Sequence, residues 1–199
     1  MSLNLAECLQ SMDFKTLLVD SDPQGSARDW HTQNDGNRLD MLGIDRLTIN
    51  KDIAKFKEDY DFIIIDGAPR FSEMLAKTLL CSDLVIIPVQ PSPFDLWASE
   101  KTIEVVKHRI DITEGKLKAV LLINGIITRT KIGKEVREIL EDFGLPVLRS
   151  YTTYRIEYKQ SVSRGESVLV NIDEVAGREI RDLTNEILEL LEIKNGDTI

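Results

Sequence analysis

Acidic residues close two of the chain's apolar runs. Leu17 to Asp20 is followed by Ser21-Asp22-Pro23-Gln24-Gly25-Ser26, and Phe62 to Asp66 by Gly67-Ala68-Pro69-Arg70. In an open α/β sheet, ligands bind beyond the carboxyl ends of the strands, so these are the first places to look for chemistry. Asp20, Asp22 and Asp66 would converge on one edge. Like charges a few ångströms apart resist joint ionisation, so such a cluster implies a divalent cation or a shared proton. One reading is a magnesium site, with Asp66 holding the ion through water and Asp22 touching its shell or orienting an attacking water. The other reading makes Asp20 and Asp22 caps of the next turn, because Asp-Pro and Asx-turns commonly start loops. His31 and His108 are isolated, with no Ser or Cys placed as a nucleophile, which disfavours a histidine-based hydrolase. Cys8 and Cys81 lie far apart in apolar surroundings and read as two buried thiols rather than a disulfide or zinc pair.

Those carboxylates need strands to carry them. Apolar runs ending in a polar residue recur at Leu17 to Asp20, Phe62 to Asp66, Leu84 to Val89, Ala119 to Asn124 and, more briefly, Pro146 to Leu148. They do not alternate, which is how parallel strands covered on both faces read. Helical spacing fills the intervals. It is seen at Leu96 to Ile110 and at Thr130 to Phe143, where Ile132, Val136, Ile139, Leu140 and Phe143 share a side. Glu174 to Ile193 places Ala176, Ile180, Leu183, Ile187 and Leu190 on one stripe. The alternation predicts one α/β domain over residues 1–194, doubly wound with a mainly parallel sheet, and a frayed tail at 195–199. Ser2 to Ser11 carries Leu3, Leu5, Ala6 and Leu9 at helical spacing, so the first element reads as a helix. Doubly wound sheets usually have a central strand before their first helix, and none is legible here. Its neighbours would keep unpaired N–H and C=O groups, at about 1–3 kcal/mol per unsatisfied buried group. The gap is expected to be refilled by edge closure, a partner strand or a rearranged N-terminus.

Composition excludes several classes. With 42% hydrophobic and 30% charged residues over 199 positions, the chain fits a soluble globular domain, not a disordered or collagen-like one. No apolar run approaches the roughly 20 residues that cross a bilayer, and no export signal opens the chain, so no membrane role and a cytoplasmic location are expected. A net charge of −9 opposes tight binding of nucleic-acid phosphates by the molecule as a whole. The charge is uneven: residues 1–100 hold 9 basic and 17 acidic side chains, residues 101–199 hold 16 and 17. Lys107, Arg109, Lys116, Lys118, Arg129, Lys131, Lys134 and Arg137 form a local basic stretch, for which an ordinary solvated face is the plain explanation. Trp30 and Trp97 read as packing residues rather than base-stacking ones.

Leu17 to Trp30, LLVDSDPQGSARDW, resembles the strand and switch segment of ParA-type partition ATPases of the ParA/MinD family, and Asp59 to Arg70, DYDFIIIDGAPR, resembles their Walker B strand. Ser82 to Val89 with Pro91 to Asp95 is also typical of the group, and Ser161 to Val168, SVSRGESV, resembles a C-terminal stretch of its small ParF-like members. The resemblance implies a P-loop NTPase fold of the SIMIBI type with ATP and magnesium as cofactors. It implies roles for Asp66 as the Walker B carboxylate on magnesium and for Asp22 as the switch carboxylate placing the hydrolytic water. Gln24 and Gly25 would ride the switch loop, Gly67 would give the backbone room near the γ-phosphate, and Asn124 could contact adenine, although Asn is also an ordinary strand-end residue. Homodimerisation, a small centromere-binding partner and weak nonspecific DNA binding through the basic stretch are implied as well.

The family's K-G-G-x-G-K-[ST] loop would cradle the phosphates with backbone N–H groups and lysines. It does not occur in these 199 residues: Gly115-Lys116 and Gly133-Lys134 lie in other elements and lack the following Ser or Thr. Ser2 to Ala6 aligns with the helix that follows the loop, so either the chain is truncated or nucleotide binding has been lost. Two functions are expected accordingly: a plasmid- or chromosome-partitioning ATPase, inactive as this chain stands, or a nonenzymatic homologue that serves as a protein-interaction module. A receiver-like domain is the weakest alternative, because it needs a lysine closing a late strand where this chain has Asn124.

Overall fold

A computed structural model describes residues 1–33, 38–67 and 73–193, apart from the side chains of Ile132 and Lys134. The elements run α1 (Ser2–Ser11), β1 (Thr16–Asp20), α2 (Ser26–Gln33), β2 (Asp40–Gly43), α3 (Ile49–Ile53), β3 (Phe62–Asp66) and α4 (Glu73–Leu79). They continue with β4 (Leu84–Val89), α5 (Pro93–Ile112), β5 (Lys118–Ile126), α6 (Lys131–Glu141), β6 (Val147–Thr153), α7 (Glu157–Ser163), a 3-10 turn (Val168–Asn171) and α8 (Val175–Leu190). Every strand pair is parallel, in two three-stranded sheets ordered β2-β1-β3 and β4-β5-β6. Contacts divide the chain into two compact units, Met1–Cys81 with Ile156–Ile199, and Ser82–Arg155. The α/β class read from the sequence is therefore observed. The expected tail at 195–199 and the segment 68–70 lie outside the described residues.

In the first unit, helices cover both faces of β2-β1-β3. Leu18 packs with Ala6 of α1 and with Ala27 and Trp30 of α2, with Ile64 against them. On the opposite face Leu17 and Val19 join Ile49 and Ile53 of α3 and Met74 of α4, with Ile63 and Ile65 packed on. All five residues of β1 are buried, as a central strand requires. Residues Asn4 to Leu9 of α1 are buried in unbroken succession, because α1 lies between the sheet and α8. Gly177 lets α8 close on the 3-10 turn: an added Cβ would stand 2.6 Å from the Ile172 Cα and 2.8 Å from its carbonyl oxygen.

In the second unit, β5 is the central strand and α5 and α6 pack on the sheet. Ser92 caps α5 by accepting the Asp95 N–H at 3.2 Å, and Pro93 sits in the first turn, where a missing N–H costs nothing. Thr130 caps α6 through the Gly133 N–H at 3.1 Å.

The ladders show which way each strand's backbone points. Asp66 C=O accepts the Ser21 N–H at 3.0 Å and Phe62 N–H donates to Lys15 C=O at 3.2 Å. Polar groups alternate sides along a strand, so Phe62, Ile64 and Asp66 face β1 while Ile63 and Ile65 face the other side. In β4, Asp83 C=O accepts the Lys118 N–H at 2.9 Å, so Leu84, Ile86 and Pro88 turn away from β5. That placement explains the proline in the middle of LVIIPV: its missing N–H falls on the open side. No strand among the described residues pairs with the open side of β3 or β4, so the expected refilling is not observed among them.

Several sequence readings need correction. β2 was hidden because Asp40-Met41-Leu42-Gly43 is four residues long and begins with an acid. β6 runs to Thr153 rather than Leu148, because Arg149, Ser150, Thr152 and Thr153 make an edge strand too polar to read as an apolar run. Trp30 is core, but Trp97 is 65% exposed and stacks edge-on against Phe94 at 5.7 Å between ring centroids. Cys81 is only half-buried, and Ile139 falls off the packed side of α6.

Candidate functional site

Asp20 and Asp66 are direct register partners at the carboxyl ends of the adjacent strands β1 and β3, so the loop bearing Asp22, Gln24 and Gly25 leaves the sheet beside Gly67. Their roles differ. Asp20 is fully buried. Its Oδ1 accepts the Asp22 N–H at 3.0 Å, its Oδ2 accepts the Arg28 N–H at 3.1 Å, and the Arg28 Nε lies 3.4 Å away. The first bond of α2 runs from Asp29 N–H to Gly25 C=O at 2.9 Å. Gly25 adopts φ +70°, which suits glycine, and has no side chain with which to cap the helix it starts. Asp20 supplies that cap from the neighbouring strand end.

Asp22 is half-buried, and its Oδ1 accepts the Gln24 N–H at 2.9 Å, an Asx-turn. Gln24 is exposed on that turn. The turn-capping reading thus holds for Asp20 and Asp22 alike. Arg28 braces the loop, donating from Nη2 to the Asp22 carbonyl at 3.0 Å and to Asp45 at 3.3 Å. Asp66 is half-buried and accepts from the Ser2 hydroxyl at 2.5 Å, where α1 begins. Burial lowers the pKa of the Met1 ammonium, and the nearby Asp66 carboxylate partly opposes that shift. An extra Cβ at Gly67 would meet no atom of the described residues within 4 Å.

Among the described residues no group of three or more His, Cys, Asp or Glu side chains is gathered to hold a metal ion. The expected three-carboxylate cluster is corrected accordingly: Asp20 is spent on the start of α2. Asp66, which among the described residues accepts from the Ser2 hydroxyl, fits the chemistry of a magnesium ligand acting through water.

Asn124, near the end of β5, belongs to the second unit. Thr152 on β6 is 1% exposed, accepts the Gly125 N–H at 2.9 Å and donates to Asn124 Oδ1 at 2.8 Å. With the amide oxygen accepting from Thr152, the NH2 group is the donor end of Asn124. Sequence reasoning missed Thr152 because 28 residues separate it from Asn124.

It also missed the polar clasp on α1. Glu7 is 8% exposed and accepts from Arg38 Nε at 2.6 Å and Nη2 at 3.2 Å, and from the Ser167 hydroxyl. Its hydrogen bond holds the Arg38 guanidinium above its usual pKa. Asn4 Oδ1 accepts the Val168 N–H at 3.1 Å, and Trp30 Nε1 donates to the Glu166 carbonyl at 3.1 Å. The legible signal was an acid and an amide within the otherwise apolar LNLAECL.

A family model described as an AAA domain matches residues 33–119. The chain is 32% identical over 177 residues to maintenance of carboxysome distribution protein A of Halothiobacillus neapolitanus, covering 86% of this chain and 82% of that protein. It is 24% identical over 234 residues to sporulation initiation inhibitor protein Soj of Bacillus subtilis, covering 94% and 91%. Among solved structures, the septum site-determining protein MinD complexed with Mg-ADP from Pyrococcus horikoshii superposes with a TM-score of 0.73 at 16% identity, over 96% of this chain and 90% of that one. At that identity the likeness is one of fold.

Proposed function

Because the chain belongs to the ParA/MinD family of partition ATPases, we propose that it is a nucleotide-switched ATPase that positions a cargo, its residues 1–194 acting as one ParA-like domain with magnesium and water handled at Asp66 and Asp22. The observation that carries this reading is the register of β1 and β3, which sets the Asp22 loop and Asp66 at neighbouring strand ends. Asp66 would hold magnesium, and Asp22, set on its Asx-turn, would orient the attacking water. Gln24 and Gly25 would form the loop that answers to the γ-phosphate, with Gly67 leaving room beside it. When bound, magnesium neutralises charge on the phosphate oxygens.

The residues present fit the ion better than the triphosphate. No lysine-bearing glycine loop occurs among the 199 residues, and carboxylates alone repel ATP. The relatives named above concern carboxysome distribution and sporulation. The cargo class favoured here is accordingly a carboxysome-like body or a plasmid or chromosome. In this reading the protein works in the cytoplasm as a homodimer, a small adaptor or centromere-binding protein stimulates it, and the basic stretch of the second unit holds DNA weakly. No helix among the described residues is long and apolar enough to cross a membrane.

The second reading is a nonenzymatic module that pairs with a complete ATPase. Magnesium-dependent ATP turnover, measured on the 199-residue chain and on one carrying an in-frame strand and K-G-G-x-G-K-[ST] ahead of Met1, separates the two. The ATPase reading expects turnover only from the extended chain. Silence in both leaves the module, and robust turnover by the short chain overturns the stated role of the loop.

A further inference from the structure

Asp22 is held at every polar group but one. Its N–H donates to Asp20 Oδ1 at 3.0 Å, its carbonyl accepts from the Gly25 N–H and from Arg28 Nη2, each at 3.0 Å, and its Oδ1 accepts the Gln24 N–H at 2.9 Å. Oδ2 keeps no hydrogen bond among the described residues. A group that must orient a water needs this arrangement, with the residue fixed and one oxygen open. Of the four anchors, Arg28 is the cation, and it reaches Asp22 from within α2. Its side chain lies across two glycines. An added Cβ at Gly25 would stand 3.0 Å from Arg28 Nε, and one at Gly43, the last residue of β2, 2.8 Å from Cδ. Nη2 goes on to Asp45 at 3.3 Å, so Arg28 joins the loop after β1 to the loop after β2. The planar guanidinium suits that task, because its fork can serve a carbonyl and carboxylates together where an ammonium is a point donor. The ion pair with Asp45 joins half-exposed partners and adds little stability; its consequence is the placement of the side chain.

We propose that Arg28 is a positioning residue for the hydrolysis assigned to this site: by holding the Asp22 carbonyl it sets the Asp22 carboxylate in place for the attacking water. The inference rests on the ATPase reading and adds to it a residue that touches no reacting atom. Arg28 acts through Asp22. The glycines at 25 and 43 belong to the device, since a side chain at either would crowd the arginine off the loop. A mere staple of α2 onto the sheet would not need the bond to Asp22, because the Arg28 N–H already holds Asp20 at 3.1 Å.

The first test needs no nucleotide: amide hydrogen exchange on the 199-residue chain. Arg28→Ala should speed exchange at the Gln24 and Gly25 amides by about tenfold or more, with Leu18 in β1 unchanged. Gly43→Ala keeps every donor and acceptor but crowds the arginine, so it should act at the same two amides, more weakly. The second test is magnesium-dependent ATP turnover by the loop-bearing chain. There Arg28→Ala should lower kcat by about tenfold or more and leave KM within about twofold. Guanidinium ion at millimolar concentration should restore part of the kcat of this variant without raising that of the parent. A staple alone predicts a lower Tm with kcat intact. Unchanged exchange at Gln24 and Gly25, unchanged kcat in an active parent, or a loss confined to KM would each overturn the proposal. A loop-bearing parent without turnover refutes the ATPase reading and the proposal with it, a result visible before any variant is measured. Should Arg28→Ala fail to fold, Gly43→Ala decides on both readouts.

Discussion

Replacing Asp20 by alanine separates a structural carboxylate from the two assigned to chemistry. Asp20 holds three groups in the fully buried state: the Arg28 N–H in the first turn of α2, the Asp22 N–H, and the Arg28 guanidinium at 3.4 Å. Loss of a helix cap costs about 0.5–2 kcal/mol. The half-buried Asp22 N–H adds about 1 kcal/mol. The guanidinium is 39% exposed and regains water, so its share is about 0.5 kcal/mol or less. The total is about 1.5–3.5 kcal/mol, and for a chain of this size that lowers Tm by roughly 3–14 °C. Asp20→Asn keeps one acceptor and should fall midway. Asp22→Ala loses one bond on an exposed turn and should stay within about 1 kcal/mol of the parent. Thermal unfolding followed by circular dichroism at neutral pH measures all three. Equal shifts for Asp20→Ala and Asp22→Ala, or no shift for the former, would refute the capping argument.

The clasp on α1 gives a second expectation. Glu7→Ala leaves the Ser167 hydroxyl buried without its acceptor and should destabilise by about 2–4 kcal/mol, and the Glu7→Ala, Arg38→Ala pair should be strongly non-additive in a urea double-mutant cycle. Additivity would show that the two do not act as a pair. Asp52 is held down to a pKa of about 2 by hydrogen bonds from Arg46, Thr48 and Lys55. Its folded value lies below its unfolded one, so its contribution is full above the ordinary carboxylate range and disappears as pH falls toward 2. The urea midpoint of the parent should exceed that of Asp52→Asn at pH 6, with the gap closing below about pH 3; a pH-independent gap would contradict this. Gly177→Ala should destabilise by about 1–3 kcal/mol, because the new Cβ meets Ile172 backbone, although the same change in an open helix stabilises by about 0.5–1 kcal/mol. A stabilised variant would mean that α8 can shift away from the turn.

The parallel strands were legible because strands covered on both faces cannot alternate, and FIIID or LVIIPV then stands out from its polar surroundings. β2 was not, since four residues with Asp and Gly at the ends carry too little apolar signal. At the site, Asp22 and Asp66 could be placed by the rule that strand ends face ligands. The capping duty of Asp20 could only be suspected, because it depends on Gly25 being the residue that opens α2. Contacts between distant segments, such as Thr152 on Asn124 or Ser167 on Glu7, leave no local pattern in a chain. Trp97 misled because packing is the ordinary explanation for a tryptophan, while the N-terminal end of α5 holds it and Phe94 out in solvent.

The central claim is that the carboxylate ending β3 serves a metal-assisted hydrolysis site. Its most direct test is magnesium-dependent ATP turnover by the loop-bearing chain with and without Asp66→Asn, a change that preserves the shape of the side chain and its bond to Ser2. Turnover is predicted to fall by about 100-fold or more while Tm moves by only a few degrees. Turnover unchanged by Asp66→Asn would contradict the account.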